Sequence, residues 1–154
     1  MKHENVFRIK ILRRFYMKIM IVYWSGTGNT EAMANAVFAG AKEAGAEVEL
    51  CNVSQAGDVS DCDVLLLGCP AMGNEELEPE EFEPFFAAIE SSLSGRKIGL
   101  FGSYEWADGE WMRTWQQRVE TAGGVMIADG VTAYGAPDSD AVAACRALGE
   151  KAAK

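Results

Sequence analysis

The stretch YWSGTGNTEAM, residues 23–33, concentrates groups that could bind an anion. Ser25, Gly26, Thr27, Gly28, Asn29 and Thr30 supply three hydroxyls, one amide and two glycines in succession. Glycine lets the backbone turn tightly, so that consecutive N–H groups converge on one point. A helix starting at this turn would add its first free N–H groups and its dipole. From Ile19 through Ala41 there is no Lys or Arg. Within this segment an anion would therefore be held by neutral donors and the helix dipole. That suits a terminal phosphate monoester and suits a triphosphate poorly, because triphosphate transfer chemistry relies on cations and Mg²⁺. No Gly-Lys-Ser/Thr follows, so this is not a P-loop; Glu31 stands where the dinucleotide fingerprint needs glycine. A capped strand-to-helix turn with no ligand is the plain alternative. Such a turn does not require three hydroxyls and an amide in six residues.

Two further loops carry candidate groups. Pro70, Ala71, Met72, Gly73, Asn74, Glu75 and Glu76 place a thioether beside a Gly-Asn turn. Ser103, Tyr104, Glu105, Trp106, Ala107, Asp108 and Gly109 offer two aromatics. Together, Met72 and Trp106 could bracket a flat aromatic ring system. Each has a plainer reading, with Met72 as gap filler and Trp106 as loop anchor. The one histidine, His3, lies at the extreme N-terminus, so the body of the chain holds neither a Ser-His-Asp triad nor a His-rich zinc site.

These loops need a frame, and the apolar patterning supplies one. KIMIVYW (18–24), DVLLLGC (63–69) and KIGLFGS (97–103) are short apolar runs, as expected for strands buried on both faces. EVELCNV (47–53) alternates like a strand near a sheet edge, and VMIADGVTA (125–133) reads as a last strand interrupted at Asp129-Gly130. Between them lie helical stripes. One covers 30–44 with Met33, Val37 and Ala41, ending at Gly45. Another carries Phe82, Phe85, Phe86, Ile89 and Leu93, with Pro84 in its first turn. A third carries Trp111, Trp115 and Val119, and a fourth, capped by Asp138, carries Val142, Cys145 and Leu148. This alternation predicts an α/β fold: a single doubly wound, five-stranded parallel sheet. In such a sheet ligands sit outside the carboxyl ends of the strands. All three candidate loops fall there.

The charge is uneven. The 154 residues carry a net −9, but residues 1–16 are net +4, which leaves −13 in 17–154. That acidity opposes nonspecific binding to nucleic acid or to an anionic membrane surface. Residues 1–16 read as an N-terminal extension or a mis-assigned start, with a disordered arm or targeting segment as the alternative. Met17 opens the domain, which occupies 17–154. Cys51, Cys62, Cys69 and Cys145 show no metal-ligand spacing and read as free thiols in a reducing cytoplasm. Glu75, Glu76, Glu78, Glu80, Glu81 and Glu83 form an acidic run. It reads as a solvated face or as a docking surface for basic partners.

YWSGTGNTE, LLLGCPAMGNEELE, FEPFF, GLFGSYEW and GEWM, in this order, resemble the flavodoxin family, specifically its short-chain type from anaerobic bacteria. The resemblance covers 17–153 and implies strand order 2-1-3-4-5 with non-covalent FMN. In flavodoxins the flavin sits at the switch point of the strand order. The resemblance implies that Ser25, Gly26, Thr27, Gly28, Asn29 and Thr30 hold the phosphate. Met72 and Trp106 would cover the two faces of the isoalloxazine, beside Pro70 and Ala71. Gly73 and Asn74 would form the turn that answers the redox state at N5, because one electron and a proton convert N5 from acceptor to donor. A Gly-Asn pair can supply the matching carbonyl by a peptide flip. Glu75 and Glu76 would reach the N3 and N5 edge, and backbone N–H groups near Ser103, Tyr104 and Glu105 would face the pyrimidine end.

The implied function is low-potential one-electron transfer by a cytoplasmic monomer between redox enzymes with basic docking surfaces. There is no substrate turnover and no binding of nucleic acid or membrane in this reading. An FMN reductase of the same superfamily, or a flavin-free phosphate-binding module, are the alternatives. One departure stands out: Glu105 occupies a position where many members have glycine. If positive φ is required there, Glu105 is strained or the loop differs.

Overall fold

Strand β3 (Val64–Gly68) is buried at all five positions, because helices cover both faces of the sheet to which it belongs. The computed structural model describes residues 16–154, so the reading of 1–16 as an extension lies outside the described residues except at Tyr16. The other strands are β1 (Lys18–Tyr23), β2 (Glu47–Asn52), β4 (Lys97–Tyr104), β5 (Val125–Met126) and β6 (Val131–Tyr134). The helices are α1 (Asn29–Glu43), α2 (Phe82–Glu90), α3 (Glu110–Thr121) and α4 (Ser139–Ala152). All strand pairs are parallel, in the order β2-β1-β3-β4-β5, with β6 also on β4. This is the expected doubly wound order.

Successive strand residues point to opposite faces, and the core divides accordingly. Met20, Val22, Leu65, Leu67, Ile98 and Leu100 pack with Phe82, Phe86, Trp111 and Trp115 of α2 and α3. Ile19, Ile21, Val64, Leu66 and Phe101 pack with Met33, Val37, Cys145 and Leu148 of α1 and α4. The backbones of α1 and α4 cross so closely that a Cβ on Gly40 would strike the Arg146 carbonyl, and one on Gly149 the Val37 carbonyl.

The expected fifth strand is two pieces. Val125 pairs with Lys97 and Val131 with Phe101, so six residues on one side face four on β4. The surplus loops out over 127–130. Gly130 packs against the Met112 thioether, and its N–H donates to Gln116 Oε1 at 3.3 Å. Helix ends follow the sequence signals at two places. Asp138 accepts from the Ala141 N–H at 2.8 Å, and α1 ends at Gly45 (φ 92°), whose N–H donates to the Lys42 carbonyl while the Ala46 N–H donates to that of Ala41. Helix α2 is shorter than its apolar stripe. It stops at Glu90, and Leu93 is buried from the turn beyond it.

Candidate functional site

The first loop leaves β1 at Trp24, whose N–H donates to the Gly68 carbonyl at 3.0 Å and so anchors it to the sheet. Ser25 Oγ accepts from the Gly28 N–H at 3.1 Å and from the Glu31 N–H at 3.2 Å. Thr27 Oγ1 accepts from the Asn29 N–H at 3.4 Å. Both hydroxyl oxygens therefore act as acceptors within the loop, leaving their own protons to point outward. The Thr27 and Thr30 amides have no acceptor among the described residues. Gly28 caps α1 with φ 95°, a left-handed turn that glycine makes without strain. The Trp24 ring lies over Gly26, where an added Cβ would be 2.9 Å from the indole.

The second loop is a closed clasp. Met72 and Glu76 exchange both backbone hydrogen bonds, at 2.8 and 2.9 Å, around Gly73, Asn74 and Glu75. Positive φ falls at Gly73 (52°) and Glu75 (59°). Glu75 was expected to reach a ring edge through its N–H or its carboxylate. Its Oε2 accepts the Trp111 N–H at 2.8 Å and caps α3, whose N-cap residue, Gly109, has no side chain to do so. The Glu76 N–H is likewise committed, to Met72.

The third loop begins at Ser103, whose carbonyl accepts from the Ala71 N–H at 3.0 Å and whose Oγ lies 3.1 Å from Thr30 Oγ1. A Cβ on Gly102 would strike the Cys69 carbonyl, so the loops after β3 and β4 leave the sheet with backbones in contact. Tyr104 packs at 5.5 Å between ring centroids against both Trp111 and Tyr134. Trp106 is 66% exposed. The strain anticipated at Glu105 is absent there; in this loop the left-handed non-glycine residue is Ala107 (φ 71°).

These loops enclose a cleft of about 230 Å³. Ser25, Gly26, Thr27, Thr30, Pro70, Ala71, Met72, Gly73, Glu75, Ser103, Tyr104, Glu105 and Trp106 line it. Gly28, Asn29 and Asn74 do not; Gly28 and Asn29 shape the first turn from behind. Sequence reasoning missed Trp24, which also lines the cleft. A large aromatic between a buried strand and a glycine turn was the available signal. No Lys or Arg lines the cleft, and no group of His, Cys, Asp and Glu among the described residues could hold a metal.

The acidic run divides in two. Glu78 is 4% exposed, and its carboxylate accepts the N–H groups of Glu80, Glu81 and Phe82 at 2.8–2.9 Å, capping α2. Burial alone would raise its pKa; the three N–H donors outweigh burial and hold it below the ordinary Glu value. Glu83 forms a bidentate pair with Arg118 at 2.8 and 2.9 Å, and Arg118 also binds Glu90 at 3.0 Å while stacking on Phe86. With Glu75 on α3, three carboxylates of the run are structural. Glu76, Glu80 and Glu81 are exposed, so neither a solvated face nor a docking surface describes the whole run.

The flavodoxin family profile matches residues 21–149. The chain belongs to the flavodoxin family. It is 52% identical over 138 residues to a flavodoxin of Megasphaera elsdenii, covering 88% of this chain and 98% of that one. It is 45% identical over 135 residues to a flavodoxin of Clostridium beijerinckii, covering 86% and 97%. The solution structure of two-electron reduced Megasphaera elsdenii flavodoxin superposes with a TM-score of 0.78, at 52% identity and with 88% and 98% coverage. Membership carries the flavodoxin role: an FMN-binding, low-potential, one-electron carrier rather than an enzyme. The cleft fits that cofactor. Outward-facing hydroxyl protons and free helix-end amides stand at one end, and a thioether and aromatics at the other. No helix among the described residues is long and apolar enough to cross a membrane.

Proposed function

We propose that this cleft holds FMN with its phosphate on the first loop and its ring between Met72 and Trp106. Ser25, Thr27 and Thr30 donate hydroxyl protons to the phosphate. Gly26 admits close backbone approach, while Gly28 and Asn29 set the turn. Trp24 packs the loop into shape. Pro70 and Ala71 floor the slot. Gly73, Asn74 and Glu75 flank the ring's reactive edge, and Ser103, Tyr104 and Glu105 its far end. The first-loop hydroxyls carry this reading: Ser25 Oγ accepts two loop amides and Thr27 Oγ1 accepts one, so the protons of both are free for an anion.

Bound FMN supplies the one-electron chemistry. The protein supplies a mouth open at Trp106, where a partner can approach, and a local field set by Glu76, Glu80, Glu81 and Glu105, all exposed. Negative charge around an electron-exchange site favours redox enzymes with basic docking surfaces. The free thiols suit a reducing cytoplasm, and the carrier works as a monomer.

Stripping and reconstitution test the cofactor reading. The protein should regain a yellow colour with the two visible bands of oxidised flavin on adding FMN; a chain that stays colourless defeats it. Electron-transfer rates to a basic partner should fall as salt rises, and salt-insensitive rates would defeat the docking reading. Direct oxidation of NAD(P)H by the purified protein would favour a reductase.

A further inference from the structure

Thr30, in the first turn of α1, and Ser103, near the end of β4, are 1% and 4% exposed and hold their hydroxyl oxygens 3.1 Å apart. Distance alone does not say which one donates. The neighbouring hydroxyls do. Ser25 and Thr27 both use their oxygens as acceptors, so their protons point out of the loop. Thr30 has a single hydroxyl proton. If it were given to Ser103, Thr30 would offer only lone pairs to a bound anion, which would repel it. If Ser103 donates instead, Thr30 joins Ser25 and Thr27 as an outward donor. Among the described residues the Ser103 hydroxyl has no other partner.

We propose that Ser103 is a positioning residue for the anion end of the cleft. Its proton goes to Thr30 Oγ1, which fixes the Thr30 side chain and turns the Thr30 proton toward the phosphate. This rests on the FMN reading given above. It gives β4, which otherwise serves the ring end, a hold on the phosphate end as well. The Ser103 carbonyl accepts the Ala71 N–H at 3.0 Å, so one residue of the third loop is bonded to both of the others.

The full chain, freed of FMN, is titrated with FMN and with riboflavin, which lacks the phosphate. Wild type should prefer FMN; no preference would defeat the site reading itself, independently of Ser103. Ser103→Ala should weaken FMN about tenfold, the worth of one well-placed hydrogen bond, and leave riboflavin unchanged. Thr30→Val should weaken FMN at least as much. Adding Ser103→Ala to Thr30→Val should cost nothing further, because Ser103 acts through Thr30. Equal losses for both ligands, additive losses, or no loss of FMN would overturn the proposal. A larger loss from Ser103→Ala than from Thr30→Val would also overturn it, because the protons would then run the other way. Ser103→Cys carries the same test if the alanine variant does not fold. Its thiol is a weak donor of similar size, and its loss should again be confined to FMN.

Discussion

Glu78→Gln and Glu78→Ala test the claim that a carboxylate from the acidic run holds the start of α2. In the native protein Oε1 accepts from Glu80, and Oε2 accepts from Glu81 and Phe82. Glutamine keeps one acceptor oxygen. It can serve Glu81 and Phe82, but it turns an NH₂ group toward the Glu80 N–H. It also exchanges charge-assisted bonds for neutral ones, which are about half as strong. The expected cost at pH 7 is about 1–2 kcal/mol. Alanine removes all three bonds. The Phe82 N–H is buried and stays unsatisfied, at about 1–3 kcal/mol, whereas those of Glu80 and Glu81 reach water. The sum is about 3 kcal/mol, a fall in Tm of about 10 °C for a domain of this size.

The pH dependence separates a charge effect from packing. The folded-state pKa of Glu78 lies below its unfolded value, so its stabilisation is present above the ordinary Glu pKa. It is lost as pH falls through the folded-state value. The Tm gap between wild type and Glu78→Gln should therefore close on acidification below about pH 4. Thermal melts followed by circular dichroism across that range read the gap directly. A gap that is absent at pH 7, or that stays constant down to pH 3, would refute the assignment.

Three other outcomes follow from the same structure. Ala107→Gly removes a left-handed alanine (φ 71°) and should raise stability by about 0.5–1 kcal/mol, seen as a higher Tm; a decrease would mean the strain is not real. Arg118→Ala breaks the pairs with Glu83 and Glu90 and uncovers Phe86, and should cost about 1–2 kcal/mol in urea unfolding, with little change between low and high salt. Burial raises the thiol pKa of Cys145 to about 12 and that of Cys69 higher still, so alkylation of the native protein at pH 8 should spare both until it unfolds.

The strands were legible because a parallel sheet buried on both faces writes continuous apolar runs, as VLLLG shows. The turn proposed to hold the phosphate stood out in the sequence because three hydroxyls beside two glycines have few structural uses. What stayed hidden has a common physical form. Glu75 and Glu78 look like their neighbours Glu76 and Glu80 in the sequence, and only the placement of the α2 and α3 N-termini selects two of them as caps. The two-residue surplus opposite β4 depends on how Met112 and Gln116 of α3 meet Gly130. The left-handed turns at Glu75 and Ala107 fall on residues that seldom adopt them, because loop closure rather than residue preference sets those angles.

The split of the acidic run alters what acidity does in this domain. Read as a uniform patch, six carboxylates would set the field at the mouth of the cleft. Three of them are instead bound to helix N-termini and to Arg118, where backbone dipoles and a guanidinium offset their charge. In the docking reading proposed above, steering of a partner falls to Glu76, Glu80, Glu81 and Glu105, while Glu75 and Glu78 hold the segment that carries Met72 and Gly73. Substituting the exposed set should change association with a basic partner and leave Tm nearly unchanged. Substituting the bound set should lower Tm and loosen the loop at every salt concentration. The two effects separate because one charge set works through solvent, where salt screens it, and the other through short hydrogen bonds, where salt does little.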